Sequence, residues 1–360
     1  MSDKKLAVLV LSDGSTYFGR GIGAECIKSG ELVFNTSMTG YQEALTDPSY
    51  AGQILMMTYP LIGNYGFSKE YTESKKVWVE GFVLKWAEKD PHHYKSDSSL
   101  EQYLKQNNTG CIYEIDTRML TRKIRNFGVI PAALQVYSSG KSPDLKKLKE
   151  MALSTKYSNA NFIPTVSCKS PQTFGISKKK VVLIDYGAKG NIIFELNKRG
   201  IQVILVPHNT PAEDILSQKP NGILLSNGPG DPAILKQEIS QIKKLFGKLP
   251  IFGICLGHQL IAHASGATTY KLKFGHRGSN HPVMDKELNK VFITTQNHGF
   301  AVDEKSIPKD WEITHVNLND NTCEGMQHKK MQIFCVQYHP EAHPGPRDSD
   351  YLFDKFVKML

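Results

Sequence analysis

The stretch IFGICLGHQ, residues 251–259, restricts the folds open to this chain more than any other. A short apolar run enters it and LIAHAS leaves it with helical character, so it reads as strand, sharp turn, helix. G-x-C-x-G at that turn has the form of a nucleophile elbow with cysteine in the usual place of serine. Glycine is needed at 253 and 257 because a Cβ would clash where strand and helix pack so closely. Cys255 then sits at a helix N-terminus, where unpaired N–H groups and the helix dipole favour a thiolate. Free cysteine is also a common small core residue, so the elbow needs a second feature before it reads as chemistry.

That feature lies in VQYHPEA. His339 and Glu341 follow the apolar run Ile333-Phe-Cys-Val336, and Pro340 between them blocks a helix. In an extended strand, positions i and i+2 share a face. A carboxylate beside an imidazole fixes its tautomer and stabilises the imidazolium. Cys255, His339 and Glu341 therefore make a complete nucleophilic triad. The loop SNGPGDP adds two glycines, Gly228 and Gly230, that let backbone approach a ligand. The N–H groups of Leu256 and Gly230 are the candidate donors of an oxyanion hole.

The second half of the chain has the rhythm of an open, doubly wound, mostly parallel α/β sheet. Val181–Ile184, Gln202–Val206, Gly222–Leu225 and Ile251–Ile254 are apolar runs of the kind buried on both faces, with helical segments between. Cys255 and the loop at 227–232 follow such strands, at the C-terminal ends where sites form. The last third is richer in strands, QNHGFAV reads as a glycine turn, and Tyr351–Met359 closes the chain as a helix. The first half reads as a smaller, strand-rich α+β domain. Its strands are Leu6–Leu11, Thr16–Ile22, Leu32–Thr36, Ile54–Tyr59 and a core strand over Val77–Trp86. The expected organisation is a domain over 1–160, a linker over 161–179 without apolar periodicity, and a domain over 180–360.

The chain has 360 residues, 40% of them hydrophobic, enough for two sizeable cores. Six cysteines without a visible secretory signal point to a cytoplasmic protein with reduced thiols, and no run reaches a membrane span. The net charge of +9 comes from 44 basic and 35 acidic residues. The lysines are scattered and no nucleic-acid motif accompanies them, so solvated surface is the better reading. Arg118, Arg122 and Arg125 form a helical stripe that suits either solvent or an acidic partner surface. YGAKGN at 186–191 fails the dinucleotide fingerprint because Lys189 stands where the second glycine is required. His258 and His263 are five residues apart, and Pro340 and Pro344 break up His339 and His343. Neither pair has metal-ligand spacing on a helix, and no metal is expected.

GICLGHQ, SNGPGDP and YHPEA together resemble the class I glutamine amidotransferases. TGYQEALTDPSY, TYPLIGNYG and IDTRMLTRKIR in the first half resemble the small, glutaminase subunits of carbamoyl phosphate synthetases. The resemblance covers nearly the whole chain. It implies hydrolysis of glutamine through a glutamyl thioester. It also implies that Ser49 of the DPSY motif reaches glutamine from the first domain, and that Gln259, Asn297, Gly299 and Phe300 hold it. A large subunit is implied as partner, using ATP, Mg and bicarbonate with the delivered ammonia to make carbamoyl phosphate for arginine and pyrimidine biosynthesis. No cofactor is expected in this chain, in keeping with its lack of a G-x-x-x-x-G-K-[ST] loop. Glu114 departs from the family pattern, which carries glycine before IDTR. Two alternatives remain from the residues: a glutaminase serving another synthase, or a non-catalytic regulatory subunit.

Overall fold

The computed structural model describes residues 5–360. The chain divides into two compact units between Ser158 and Asn159.

The first unit is a closed seven-stranded barrel. In spatial order its strands are Lys5–Leu11, Thr16–Gly23, Gly110–Tyr113, Gly81–Val83, Gln53–Met57, Cys26–Asn35 and Ile130–Ser138. Closure leaves no unpaired sheet edge, a property that strand patterns alone do not reveal. Alternation gives each wall two apolar faces: Val33, Leu55, Phe82 and Cys111 pack in one cluster. Val8, Val10 and Ala133 pack with Leu148 and Ala152 of the helix Leu145–Ser154 in another. The expected core strand over 77–86 is broken, with only Gly81–Val83 and Trp86–Ala87 in strand conformation. Its flanking donors go elsewhere: Trp78 N–H to Leu45 O at 3.0 Å, and Glu80 N–H to Gln53 O at 2.8 Å. Glu114 stands in left-handed backbone at φ 65°, the conformation glycine adopts without penalty, and pairs with Arg20 at 3.1 Å. The helix Thr117–Phe127 is capped by Asp116, whose side chain accepts from Met119 N–H at 2.9 Å. It buries Leu120 and Ile124 and exposes Arg118, Arg122 and Arg125.

The second unit is built on a ten-stranded sheet. Its spatial order is Gln172–Phe174, Gln202–Pro207, Lys180–Asp185, Gly222–Leu225, Ile251–Ile254, Ile333–Val336, Cys323–His328, Lys290–Val302, Thr269–Asp285 and Trp311–Asn317. Only the stretch from Gln202–Pro207 to Ile333–Val336 is parallel. The sheet is thus mixed rather than mostly parallel, because the last third of the chain folds back as antiparallel strands. QNHGFAV is correspondingly not a turn. It lies inside the strand Lys290–Val302, paired along the 17-residue strand Thr269–Asp285.

The segment expected as a linker is also structured. Ile163–Val166 is helical with Ile163 in the core, and Gln172–Phe174 forms the sheet's antiparallel edge on Gln202–Pro207. A three-residue edge strand is too short to show periodicity. The closing helix Tyr351–Met359 buries Leu352, Phe353 and Phe356. Phe252 lies 5.8 Å and 5.7 Å, ring to ring, from Phe353 and Phe356 and stacks on Phe334 at 4.4 Å. These contacts anchor the parallel strand that leads to Cys255; burial of each such ring contributes about 1.5–3 kcal/mol.

Candidate active site

Cys255 joins the strand Ile251–Ile254 to the helix Leu256–Ser265 at φ 54°, ψ −102°. This is strained backbone for a residue with a Cβ. The surroundings hold it there. Cys255 N–H donates to Val336 O at 2.9 Å, and Gly257 N–H to Ser226 O at 3.0 Å. A Cβ on Gly257 would stand 2.3 Å from Leu225 O, and one on Gly253 would stand 2.6 Å from Ile261 Cδ1. Both glycines are therefore fixed by packing, as the sequence predicts. Leu256 is the first residue of the helix, so its N–H is among the four without an intrahelical acceptor.

His339 and Glu341 meet through Nδ1 and Oε1 at 2.6 Å, both buried. They do so on a turn rather than an extended strand, since the strand ends at Val336 and Ala342 N–H closes onto His339 O at 3.1 Å. Nε2 of His339 is buried and makes no hydrogen bond. Burial works to lower the His339 pKa, but the Glu341 charge and the Cys255 sulfur outweigh it and raise the value. Glu341 shifts the opposite way: burial alone would raise its pKa, and the Lys189 and His339 charges hold it below the usual carboxylate range.

In the sequence Lys189 stands out only as the residue that breaks a dinucleotide fingerprint. In the structure its Nζ lies 3.2 Å from Glu341 Oε1 and donates to Ala342 O, while Asn191 donates to Glu341 O. No local pattern marks these residues, because 150 or more positions separate them from their partners. Gln337 is the other unforeseen member: its Nε2 lies 3.7 Å from Cys255 Sγ.

The expected glutamine-holding residues fall into distinct positions. Gly230 adopts φ 96°, and a Cβ there would make only ordinary contacts, at 3.7 Å to Ala160 O and 3.8 Å to Phe162 Cδ2, so its conformation rather than crowding calls for glycine. Gly228 is crowded instead, since a Cβ there would meet Tyr186 O at 2.2 Å. Asn297 brings its carbonyl to 3.6 Å from Cys255 Sγ, on the same strand as Gly299 and Phe300. Gln259 spends its side-chain N–H groups inside the protein, on Phe300 O at 2.9 Å and Gln337 Oε1 at 3.0 Å. Ser49 lies in the first unit, buried on the 3-10 turn Pro48–Tyr50, with Asp47 accepting its N–H at 2.9 Å.

His258 contacts Cys335 and His263 contacts Thr269, so those two histidines do not converge. A different group does: among the described residues, ligand atoms of His276, His298 and Glu324 lie within 4.8 Å of one another. All three already take part in protein hydrogen bonds or ion pairs. The six cysteines are all free, and no described helix is long and apolar enough to cross a membrane.

The second unit is that of a glutamine amidotransferase: the family profile described as glutamine amidotransferase class-I matches residues 182–359. Residues 9–134 match the CPSase domain of the carbamoyl-phosphate synthase small chain. The whole chain is 51% identical over 356 residues to the carbamoyl phosphate synthase small chain of Archaeoglobus fulgidus, covering 98% of each. It is 49% identical over 356 residues to that of Methanocaldococcus jannaschii, again covering 98% of each. The small chain of Staphylococcus epidermidis strain RP62A is 48% identical over 353 residues, covering 98% of this chain and 95% of its own. The chain belongs to the carbamoyl phosphate synthase small chain family.

Proposed function

We propose that this chain hydrolyses glutamine to glutamate and ammonia and passes the ammonia to a carbamoyl phosphate synthase large subunit. The observation that carries the reading is the strained Cys255 elbow in the same unit as the buried His339–Glu341 pair. The Cys255 thiolate attacks the glutamine carboxamide carbon, and the oxyanion is received by the N–H groups of Leu256 and Gly230. The His339 imidazolium gives its proton to the departing nitrogen, so ammonia leaves as the C–N bond breaks and a glutamyl thioester remains. The neutral imidazole then takes a proton from water, whose oxygen attacks the thioester. The C–S bond breaks, glutamate departs, and the returned Cys255 thiolate and the protonated His339 restore the starting pair. Glu341 orients His339 throughout, and Lys189 holds Glu341.

Gln259, Asn297, Gly228, Gly299, Phe300 and Ser49 hold glutamine in this reading, with Gln259 acting through the strand it grips. The large subunit supplies the ATP, Mg and bicarbonate chemistry, and the pair works in the cytoplasm as a heterodimer. The family assignment of residues 9–134 and the small-chain names of the relatives support that partner.

The test is glutamate release by the purified chain beside Cys255→Ser, each with and without the large subunit. Cysteine-dependent release that rises with the partner is expected. Equal inactivity of both proteins with the partner present would leave a regulatory role as the better account.

A further inference from the structure

The strand that carries Asn297, Gly299 and Phe300 shares with its neighbours a group of buried polar side chains that the proposed chemistry does not use. His276, Gln296, His298 and Glu324 are each at most 6% exposed. Buried polar groups of this density cost stability unless each is satisfied, and a satisfied network fixes one arrangement.

The contacts run in a single direction. Asp320, on the turn after Trp311–Asn317, meets His276 Nε2 at 2.9 Å, and His276 Nδ1 lies 3.5 Å from Glu324 Oε1. With a carboxylate at each ring nitrogen, the His276 pKa is raised to about 9 against the effect of burial. Glu324 Oε1 also accepts from Asn317 at 2.9 Å, and its Oε2 accepts from Gln296 Nε2 at 3.0 Å. The Gln296 oxygen accepts from His298 Nε2–H at 2.9 Å; burial and the charge on His276 hold the His298 pKa well below its ordinary value, so the neutral ring has no second proton for Phe300 O, which lies 2.8 Å from its Nδ1.

Phe300 O accepts from Gln259, whose amide continues to Gln337, and Gln337 reaches Cys255 Sγ. The strand is thus held at Phe300 by the nucleophile's helix, and at Gln296 and His298, on either side of Asn297, by the charged cluster.

We propose that the His276–Glu324 pair, carried through Gln296 and His298, is the positioning element for the 297–300 stretch and so sets the affinity for glutamine without touching it. An ionised carboxylate only accepts, which orients the Gln296 amide and in turn the His298 ring. A neutral amide at 324 offers both a donor and an acceptor and removes that direction. The inference rests on the glutaminase reading above.

The test uses the complex with the large subunit. Glu324→Gln and Asp320→Asn are compared with wild type in steady-state glutamate release, with thermal unfolding as the check on folding. Glu324→Gln is expected to raise KM for glutamine about tenfold or more, with kcat changed by less than about threefold. Asp320 is 39% exposed on a turn, so Asp320→Asn is expected to fold and to raise KM by about threefold. Unchanged KM in folded Glu324→Gln overturns the proposal, as does a fall in kcat with KM constant. If Glu324→Gln does not fold, unchanged KM in Asp320→Asn overturns it. Stoichiometric zinc in the purified wild-type chain, lost in Glu324→Gln, would also overturn it, since the histidines and Glu324 would then be metal ligands. Absence of Cys255-dependent release in wild type would defeat the glutaminase reading itself, and this inference with it.

Discussion

Lys189 Nζ lies 3.2 Å from Oε1 of Glu341, and both side chains are shut off from solvent. The lysine comes from the loop after the first parallel strand of the second unit and the glutamate from the turn after the last. Their pairing makes the Glu341 carboxylate a fixed negative charge rather than a proton acceptor. Removing one partner of such a pair leaves a buried charge uncompensated.

Lys189→Met is therefore expected to act on both stability and rate. The loss of stability should be about 3–5 kcal/mol, read from urea unfolding. In the protein that remains folded, Glu341 takes up a proton more readily and His339 loses its orienting charge. We expect kcat for glutamate release to fall at least about a hundredfold, with glutamine KM little changed. A variant that melts normally and keeps its kcat would remove Lys189 from the mechanism.

The same charges set a pH window for stability. Glu341 is depressed in the folded state, so its contribution is present above its ordinary pKa of 4.5 and is lost as pH falls toward the folded value. His339 is raised, so its contribution is complete below 6.5 and is lost as pH rises toward its folded value. The pair is therefore most stabilising between those two ordinary values. The melting temperature difference between wild type and Glu341→Gln should be largest there and shrink on both sides. A difference that stayed constant from pH 3 to pH 9 would contradict the assignment of charge.

The parts of this site that are local in sequence were legible in it. The glycines at 253 and 257 forecast the elbow because the constraint is steric and lies within five residues, and His339 and Glu341 were paired across two. Lys189, Asn191 and Gln337 escaped because nothing near them in the chain records what they meet. The same division holds for the fold. Apolar runs such as Val181–Ile184 announced the parallel core, whereas the closed barrel and the edge strand Gln172–Phe174 depend on which strands pair. The segment QNHGFAV misled because glycine usually marks a turn. Here Gly299 lies mid-strand, and a Cβ on it would stand 3.3 Å from Arg277 Nη2.

Gly230 and Gly257 offer a contrast between two reasons for glycine. At Gly257 a Cβ meets the Leu225 carbonyl at 2.3 Å, so Gly257→Ala must push the elbow helix off the sheet. Overpacking of this kind costs about 1–3 kcal/mol, and the displaced Leu256 N–H should take activity with it. At Gly230 a Cβ has room, and the obstacle is φ 96°. Gly230→Ala is then expected to unfold within about 1–2 kcal/mol of wild type while its peptide turns away from the oxyanion. The loss should appear in kcat, by about 10²–10³, because the donor matters most in the transition state. Urea unfolding and glutamate release measured on both variants separate the two cases. A Gly230→Ala chain with undiminished kcat would move the second oxyanion donor to another residue.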